Sequence, residues 1–166
     1  APLIVKDEVI VGTSGGDSGV RGFVAAYDAK KGTLKWRLWT IPGPGEFGSA
    51  SWPGDLYLHG GATTWMPGTY DPELDTVYWT TSNAAPDFDG SSRPGDDLYT
   101  ACVLAIDPNT GKLKWYFQFT PHDVYDYDAN ETPVLVDKEE NGAVRHLLLQ
   151  ANRNGFFYVL DRTDGK

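Results

Sequence analysis

Two aspartates, Asp126 and Asp128, stand two positions apart in the segment TPHDVYDYDAN. In an extended segment, residues i and i+2 point to the same side, so the two carboxylates can converge on one site. Carboxylates that are held together repel each other, which raises at least one pKa unless a cation lies between them. Hard cations with oxygen-only ligands meet that need. The pair therefore predicts a metal site, with a solvated aspartate-rich loop as the alternative.

Nitrogen and sulfur ligands do not form a comparable constellation. His59 and His122 belong to no His-x-x-x-His motif and to no clustered His/Cys spacing, so we interpret both as structural residues. We expect His122 to bond backbone within the loop that carries Asp126. Cys102 is the only cysteine, so no internal disulfide can form, and its place in the apolar run ACVLAI predicts a buried thiol.

Three copies of a short motif indicate the elements that must position these side chains. Each copy has an aspartate followed four residues later by a glycine, and the aspartates are Asp28, Asp107 and Asp161. In the first two copies a tryptophan, Trp36 or Trp115, follows eight residues after the aspartate. The aspartate can accept hydrogen bonds from backbone N–H groups in a turn, and the glycine supplies the positive φ that closes it. Each copy is therefore predicted to be a strand, a turn and a second strand, with its tryptophan packed on the neighbouring unit. Such repetition favours a propeller or a solenoid.

Composition and pattern predict an all-β fold. The 166 residues include 19 glycines and 11 prolines, and 13% are aromatic, which is typical of many tight turns between apolar strands. No convincing amphipathic helix is present. At about 40 to 50 residues per blade, the chain holds about three to four antiparallel blades, so we expect part of a longer propeller. Besides the strands of the repeat motif, the predicted strands are Glu8–Val11, Gly22–Ala26, Thr76–Thr81, Cys102–Ile106, Lys112–Phe119, Pro133–Val136, His146–Gln150 and Phe156–Leu160.

Charge and hydropathy argue against several classes of partner. The formal net charge is −9 at pH 7, and nucleic-acid binding depends on Lys and Arg neutralising phosphates. Nucleic acids and anionic membrane surfaces are therefore disfavoured. The longest uninterrupted apolar run is residues 101–106, far short of the roughly 20 residues that cross a bilayer. The N-terminal residues APLIVKDEVIVG lack the pattern of a signal peptide.

Four longer strings, in order, resemble the pyrroloquinoline quinone (PQQ)-dependent alcohol dehydrogenases, the quinoprotein methanol and ethanol dehydrogenase group. They are GTSGGDSGVRGFVAAYDAKKGTLKWRLW, TTWMPGTYDPELDTVYWTTSNAAP, RPGDDLYTACVLAIDPNTGKLKWYFQFTPHDVYDYDAN and ANRNGFFYVLDRTDGK. The resemblance implies an eight-bladed propeller more than three times as long as this chain, with PQQ and one metal ion near its axis. Residues 1–166 would form an internal, partial propeller domain.

The resemblance also implies roles for the residues that would hold PQQ. Trp65 matches the family residue on which the quinone stacks, Thr63 would bond the periphery of the quinone, and Ser14 would also bind the cofactor. Arg153 matches a cationic residue beside the catalytic base and the quinone oxygens. Trp65 as a blade-packing residue and Arg153 as a surface residue are the alternatives.

A second group of residues would bind the metal. Asp126 matches the catalytic base and also a metal ligand, and Asn83 matches an amide ligand, although Ser82 and Ala84 differ from the usual family motif. Asp17 stands where the family has a glutamate, so its reach is shorter. Turn-forming roles for Asp17 and Asn83 are the alternatives.

Asp128 decides the expected metal. Its position is an aspartate in the lanthanide-dependent branch of the family and usually a small uncharged residue in the calcium-dependent branch. With Asp17 and Asp126 it gives three carboxylates, which a lanthanide(III) ion balances better than Ca²⁺.

By resemblance, the expected activity is oxidation of a primary alcohol to an aldehyde, with electrons passed to a cytochrome c-type acceptor in the periplasm or outside the cell. A non-enzymatic propeller scaffold for protein contacts is the alternative, and it requires no convergence of the four proposed metal ligands. A partial propeller that is inactive alone and self-associates through open blade edges is a third possibility.

Overall fold

The computed structural model describes residues 1–166 and contains three antiparallel β-sheets, each ordered as its strands occur along the chain. The first sheet comprises β1 (Leu3–Val5), β2 (Glu8–Gly12), β3 (Phe23–Asp28) and β4 (Leu34–Trp39). The second comprises β5 (Thr69–Asp71), β6 (Thr76–Thr80), β7 (Cys102–Ile106) and β8 (Leu113–Gln118). The third comprises β9 (Val134–Glu140), β10 (Ala143–Ala151) and β11 (Phe157–Asp161). The prediction of an all-β fold made of propeller blades is confirmed.

Helical structure is limited to three single-turn 3₁₀ helices, Gly16–Ser18, Ser49–Ser51 and Leu56–Leu58. No helix has the length and apolar character that a bilayer crossing requires.

The predicted turns form as the repeat requires. In the first copy, the Asp28 carboxylate accepts hydrogen bonds from the backbone N–H groups of Lys30 and Lys31, at 3.0 and 2.8 Å. Gly32 has a φ of 68°, and its N–H donates to the Asp28 carbonyl over 2.8 Å. The same contact joins Gly111 to Asp107. The turn chemistry is therefore a local property of the motif.

Each motif tryptophan docks on the glycine of the next sheet. The Trp36 indole N–H donates to the Pro108 carbonyl over 2.6 Å, and its ring covers Gly111, where a Cβ would lie 2.5 Å from a ring carbon. Trp115 covers Gly165 in the same way, with a corresponding distance of 2.6 Å. Only glycine permits this approach, so the docking prediction is confirmed.

The second sheet is buried on both faces. Trp79 and Leu104 pack against the first sheet, whereas Tyr78 and Val103 pack against the third. Every residue of β6 and β7 is consequently buried, which explains why β7 is a continuous apolar run and why the centre of β6 is apolar too. Cys102 is a buried free thiol, as predicted.

The strand predictions were wrong in two respects. The three-residue strands β1 and β5 were not predicted, because so short a segment carries little periodic signal. β9 and β10 are also longer than predicted. Asn141 and Gly142 both have positive φ, 54° and 78°, and an Asn-Gly pair of this kind closes a tight hairpin. The hairpin extends the pairing of β9 with β10 through charged residues as far as the turn.

Candidate cofactor and metal site

The segment that carries Thr63 and Trp65 crosses between the first and second sheets. The Gly61 N–H donates to the Val20 carbonyl over 3.0 Å and its carbonyl accepts from Gly22 N–H over 2.8 Å. The neighbouring Ala62 N–H donates to the Asn83 carbonyl over 2.9 Å. The backbone is therefore fixed on both sides.

Two glycines make this crossing possible. A Cβ at Gly12 would lie 1.9 Å from the Thr64 carbonyl oxygen, and a Cβ at Gly22 would lie 2.1 Å from the Ala62 carbonyl oxygen. The Thr64 hydroxyl accepts from Thr13 N–H and donates to the Phe23 carbonyl. The next residue along the chain, Trp65, is 47% exposed and thus presents an accessible flat indole.

The short helix that carries Asp17 packs on the same segment. The Thr63 and Ser82 hydroxyls lie 2.9 Å apart, and the Ser82 oxygen also accepts from Thr63 N–H over 2.7 Å. A Cβ at Gly16 would lie 3.1 Å from the Thr63 hydroxyl oxygen. Asp17 is therefore placed beside the residues that lead into Asn83, whereas Ser14 is exposed.

Asn83 is almost completely buried, and hydrogen bonds hold both its backbone and its side chain. Its backbone N–H donates to Asp128 Oδ1 over 3.2 Å. Its side-chain nitrogen donates to Asp87 Oδ1 over 2.8 Å and to the Ala84 carbonyl over 3.2 Å. The side-chain oxygen accepts no hydrogen bond, so it is free to act as a ligand.

The loop that carries Asp126 is irregular, and the assumption of an extended segment was wrong. The buried Asp123 carboxylate accepts from Tyr125 N–H over 2.9 Å and from Tyr127 N–H over 2.7 Å, which curls the backbone. Asp126 has a φ of +59°, in the left-handed region. The curled loop, rather than strand geometry, sets the relation between Asp126 and Asp128.

Trp65, Asp128 and Arg153 line one cleft of about 130 Å³, together with Met66, Asn130 and Glu131. Arg153 Nη1 lies 2.8 Å from Asp128 Oδ2. The direct partner of this guanidinium is thus Asp128, although its charge also acts on Asp126, where it partly offsets the rise in pKa that burial causes.

The carboxylates of Asp17, Asp126 and Asp128 lie close enough to affect each other's ionisation. Burial raises the pKa of Asp128, and the negative charges of Asp126 and Asp17 raise it further. The hydrogen bond from Asn83 N–H and the positive charge of Arg153 act in the opposite direction and only partly offset this rise. Burial also raises the pKa of Asp126, with Asp17 and Asp123 acting in the same direction. A cation bound among these carboxylates would reduce their mutual repulsion and favour their ionised form.

The residues present fit a hard cation. The expected donors, Asp17, Asn83, Asp126 and Asp128, offer carboxylate and amide oxygens, the ligand types that such ions prefer. Asn130 Oδ1 and Glu131 Oε2, in the adjoining cleft, are buried without a hydrogen-bond partner. Unpartnered buried oxygens are costly, so a ligand in this cleft would stabilise them.

Comparison with known proteins identifies the family of the chain. The family profile described as "Glucose/ethanol/alcohol dehydrogenase, beta-propeller domain", of the PQQ class, matches residues 1–166. The chain belongs to this PQQ-dependent dehydrogenase family. The resemblance predicted from the sequence is confirmed.

Individual relatives match nearly the whole chain but only part of their own length. The quinohemoprotein alcohol dehydrogenase ADH IIB of Pseudomonas putida is 47% identical over 100% of this chain and 26% of its own. Methanol dehydrogenase [cytochrome c] subunit 1 of Paracoccus denitrificans is 38% identical over 99% of this chain and 29% of its own. A structure of a europium-containing methanol dehydrogenase superimposes with a TM-score of 0.91 and 39% identity, over 99% of this chain and 32% of that chain. The chain thus spans about a quarter to a third of these relatives.

Several residues at the site of this family member were missed by sequence reasoning. Asp87 bonds Asn83, and the buried Arg93 donates to the Pro86 and Asp123 carbonyls at 3.0 and 2.9 Å and pairs with Asp97. The Asp-rich run after Asn83 was a signal for Asp87, whereas nothing local indicated that Arg93 would join two loops.

Two of the three histidines, His59 and His122, make structural contacts. The ring of His122 contacts the Gly95 carbonyl at 2.9 Å and Asp97 at 3.2 Å, rather than the backbone of its own loop. The ring of His59 contacts the Gly19 carbonyl at 3.0 Å.

Proposed function

We propose that this chain supplies part of the active site of a PQQ- and metal-dependent dehydrogenase that oxidises a primary alcohol to an aldehyde. The observation that carries the proposal is the placement of Trp65, Asp128 and Arg153 on one cleft, beside Asp126 and Asn83. A scaffold built only for protein contacts would need no such grouping. Because the chain spans about a quarter of its relative ADH IIB, the activity is proposed for the complete propeller.

Cofactor binding is assigned to Trp65, Thr63, Ser14 and Arg153. The exposed indole of Trp65 offers a flat face for an aromatic ring, and aromatic rings prefer offset stacking. Arg153 brings a permanent positive charge to the same cleft, where it would attract the carboxylates and carbonyl oxygens of a quinone.

Metal binding is assigned to Asp17, Asn83, Asp126 and Asp128, with a lanthanide(III) ion favoured over Ca²⁺. Three carboxylates and one amide oxygen would neutralise a trivalent ion, whereas they would overcompensate a divalent one. The similarity to a europium-containing methanol dehydrogenase supports this preference.

Asp126 is proposed to accept the proton of the substrate hydroxyl. The chemistry that bound PQQ and its metal ion supply is hydride acceptance assisted by Lewis-acid polarisation. A neighbouring cation favours the ionised carboxylate, so Asp126 would be ready as a base at neutral pH. Arg153 would help to orient that carboxylate, since its charge already acts on it.

A cytochrome c-type electron acceptor and a periplasmic or secreted location complete the proposal. The name of the relative from Paracoccus denitrificans includes cytochrome c, which supports this acceptor.

The test uses what we call the complete-propeller form, which is this segment in its full-length polypeptide or in a chimera whose remainder comes from ADH IIB. PQQ is added with La³⁺ or Ca²⁺, and dye-linked oxidation of short primary alcohols is measured. We expect turnover that requires both PQQ and a metal ion and that Asp126→Ala abolishes. Turnover without PQQ, or wild-type turnover in Asp126→Ala, would contradict the proposal.

A further inference from the structure

We propose that Asp87 is a positioning residue of the metal site, which fixes the side-chain amide of Asn83 so that its oxygen stays free to bind the cation. The inference rests on the proposed function, since it takes Asn83 Oδ1 to be a metal ligand.

The hydrogen bonds of Asn83 carry the inference. Both N–H groups of its side-chain amide are engaged, one by Asp87 Oδ1 at 2.8 Å and one by the Ala84 carbonyl at 3.2 Å. Carboxylate and carbonyl oxygens accept hydrogen bonds but do not donate them. A reversed amide would therefore set its oxygen against two acceptors, so the hydrogen-bond network determines the orientation.

This orientation determines whether Asn83 can bind a hard cation. An amide binds such ions through oxygen, and oxygen and nitrogen lie on opposite branches of the planar group. Because Asp87 holds the nitrogen, the oxygen has no hydrogen-bond partner and is available to a cation. The Ala84 contact alone is longer and involves a neutral acceptor, so it gives a weaker preference.

Asp87 is itself well placed for this task. Its backbone follows Pro86, whose carbonyl accepts from the buried Arg93 over 3.0 Å. Its side chain lies close enough to Asp17 and Asp126 for their charges to act on it. Asn83 is thus held between two carboxylates, Asp87 at its side chain and Asp128 at its backbone N–H.

Two substitutions separate orientation from charge. Asp87→Ala removes both the acceptor and the charge, and we expect the affinity for Tb³⁺ to fall about 10- to 100-fold, as for other residues that orient metal ligands. Asp87→Asn removes the charge but keeps an acceptor oxygen, so it should retain most of the affinity that Asp87→Ala loses. Affinity is measured by Tb³⁺ luminescence titration of the PQQ-loaded complete-propeller form, without reference to activity.

The matched control is Asp89→Ala, because Asp89 is an exposed carboxylate two positions away that bonds only Ser91 N–H. It should leave Tb³⁺ affinity unchanged. In an Asn83→Ala background, Asp87→Ala should add little further loss, because its target is already absent. Asp87→Ser, which cannot reach the amide, replaces Asp87→Ala if that variant misfolds.

The outcomes are distinguishable. Wild-type affinity in Asp87→Ala, equal losses in Asp87→Asn and Asp87→Ala, or a full additional loss in the Asn83→Ala background would each overturn the positioning role. A wild-type protein that binds no Tb³⁺ in the presence of PQQ would instead refute the proposed function, and this inference with it.

Discussion

The Asp128 side chain is only 13% exposed, and its carboxylate accepts hydrogen bonds from Asn83 N–H and from Arg153. Coulomb attraction grows with the charge of the bound ion, so removal of one carboxylate costs a trivalent ion half as much again as a divalent one. We expect Asp128→Ala in the complete-propeller form to reduce La³⁺-supported activity about tenfold more than Ca²⁺-supported activity. Metal-dependent alcohol oxidation at saturating PQQ measures the two losses.

Asp128→Asn is the matched variant, since it keeps an acceptor for Asn83 N–H and removes only the charge. It should show the same direction of selectivity as Asp128→Ala. Equal losses with the two metals would mean that Asp128 supports the loop but does not discriminate between ions.

Asp75, at the contact between the first and second sheets, allows a test of how one carboxylate contributes to stability. Hydrogen bonds from Lys6 and Asn109 lower its pKa to about 2. The stabilisation exists above the ordinary pKa of an aspartate and is lost as pH falls through about 2, because the folded state must then bind a proton. The side chains of Lys6 and Asp75 are 49% and 41% exposed, so solvent screening limits the effect to about 1 kcal/mol or less.

Asp75→Asn should therefore lower the free energy of unfolding at pH 6, and the difference from wild type should vanish as pH approaches 2. Chemical unfolding of the complete-propeller form across this range measures it. Asp164→Asn is the control, because its lysine partner, Lys166, lies within the same turn and joins no sheets. A difference that persists unchanged to pH 2 would show that the Asp75 charge is not its cause.

Among the elements, the two irregular loops of the site are joined by one buried arginine. Arg93 donates to the Pro86 carbonyl, next to Asp87, and to the Asp123 carbonyl, which precedes Asp126. Asp97 neutralises it, and both side chains are essentially inaccessible to solvent. Removal of one member of a buried ion pair leaves the other uncompensated, at a cost of about 3–5 kcal/mol.

We expect Arg93→Met to lower the stability of the complete-propeller form by this amount, seen as a lower midpoint of chemical unfolding. Arg93→Met combined with Asp97→Leu should recover part of the loss, because no charge is then left buried. The exposed Arg145, which pairs only with the exposed Glu140, serves as the control position, where Met should cost less than about 1 kcal/mol. A negligible effect of Arg93→Met would show that the loops hold their arrangement without this pair.

These elements also show what the sequence could reveal and why. The turns at Asp28, Asp107 and Asp161 use contacts within five residues, so their spacing predicted the blades and the docking of Trp36 and Trp115. The same spacing could not predict the left-handed backbone of Asp126 or the bond between Asp87 and Asn83. Those features depend on loops whose course is determined by distant partners, such as the carbonyls that Arg93 joins.

Family resemblance filled part of that gap, since it named the positions of Trp65, Asn83 and Arg153 before their grouping was visible. It did not indicate that Arg153 pairs directly with Asp128, because that contact depends on the detailed path of two loops. The residues that position ligands were the least predictable, since their function depends on neighbours rather than on their own type.

In the molecule as a whole, the third sheet has an open edge. β11 pairs only with β10, so its other edge is unpaired, and Phe156, Phe157 and Val159 on or beside it are 66%, 64% and 52% exposed. An exposed apolar edge strand offers unpaired backbone groups and apolar surface to another copy of the chain. We therefore expect the isolated 166-residue chain to self-associate.

Light scattering at micromolar concentrations should give the wild-type chain a mass above that of the monomer. Val159→Lys should restore the monomer, because a lysine on an edge strand opposes pairing. Val144→Lys is the matched control, since Val144 is similarly exposed at 57% but lies where β10 pairs with Glu139 of β9. If Val144→Lys dissociates the chain equally well, association depends on general surface hydrophobicity rather than on the β11 edge. If the wild-type chain is monomeric throughout, the twist of the third sheet is enough to protect its edge, and the open blade does not drive assembly.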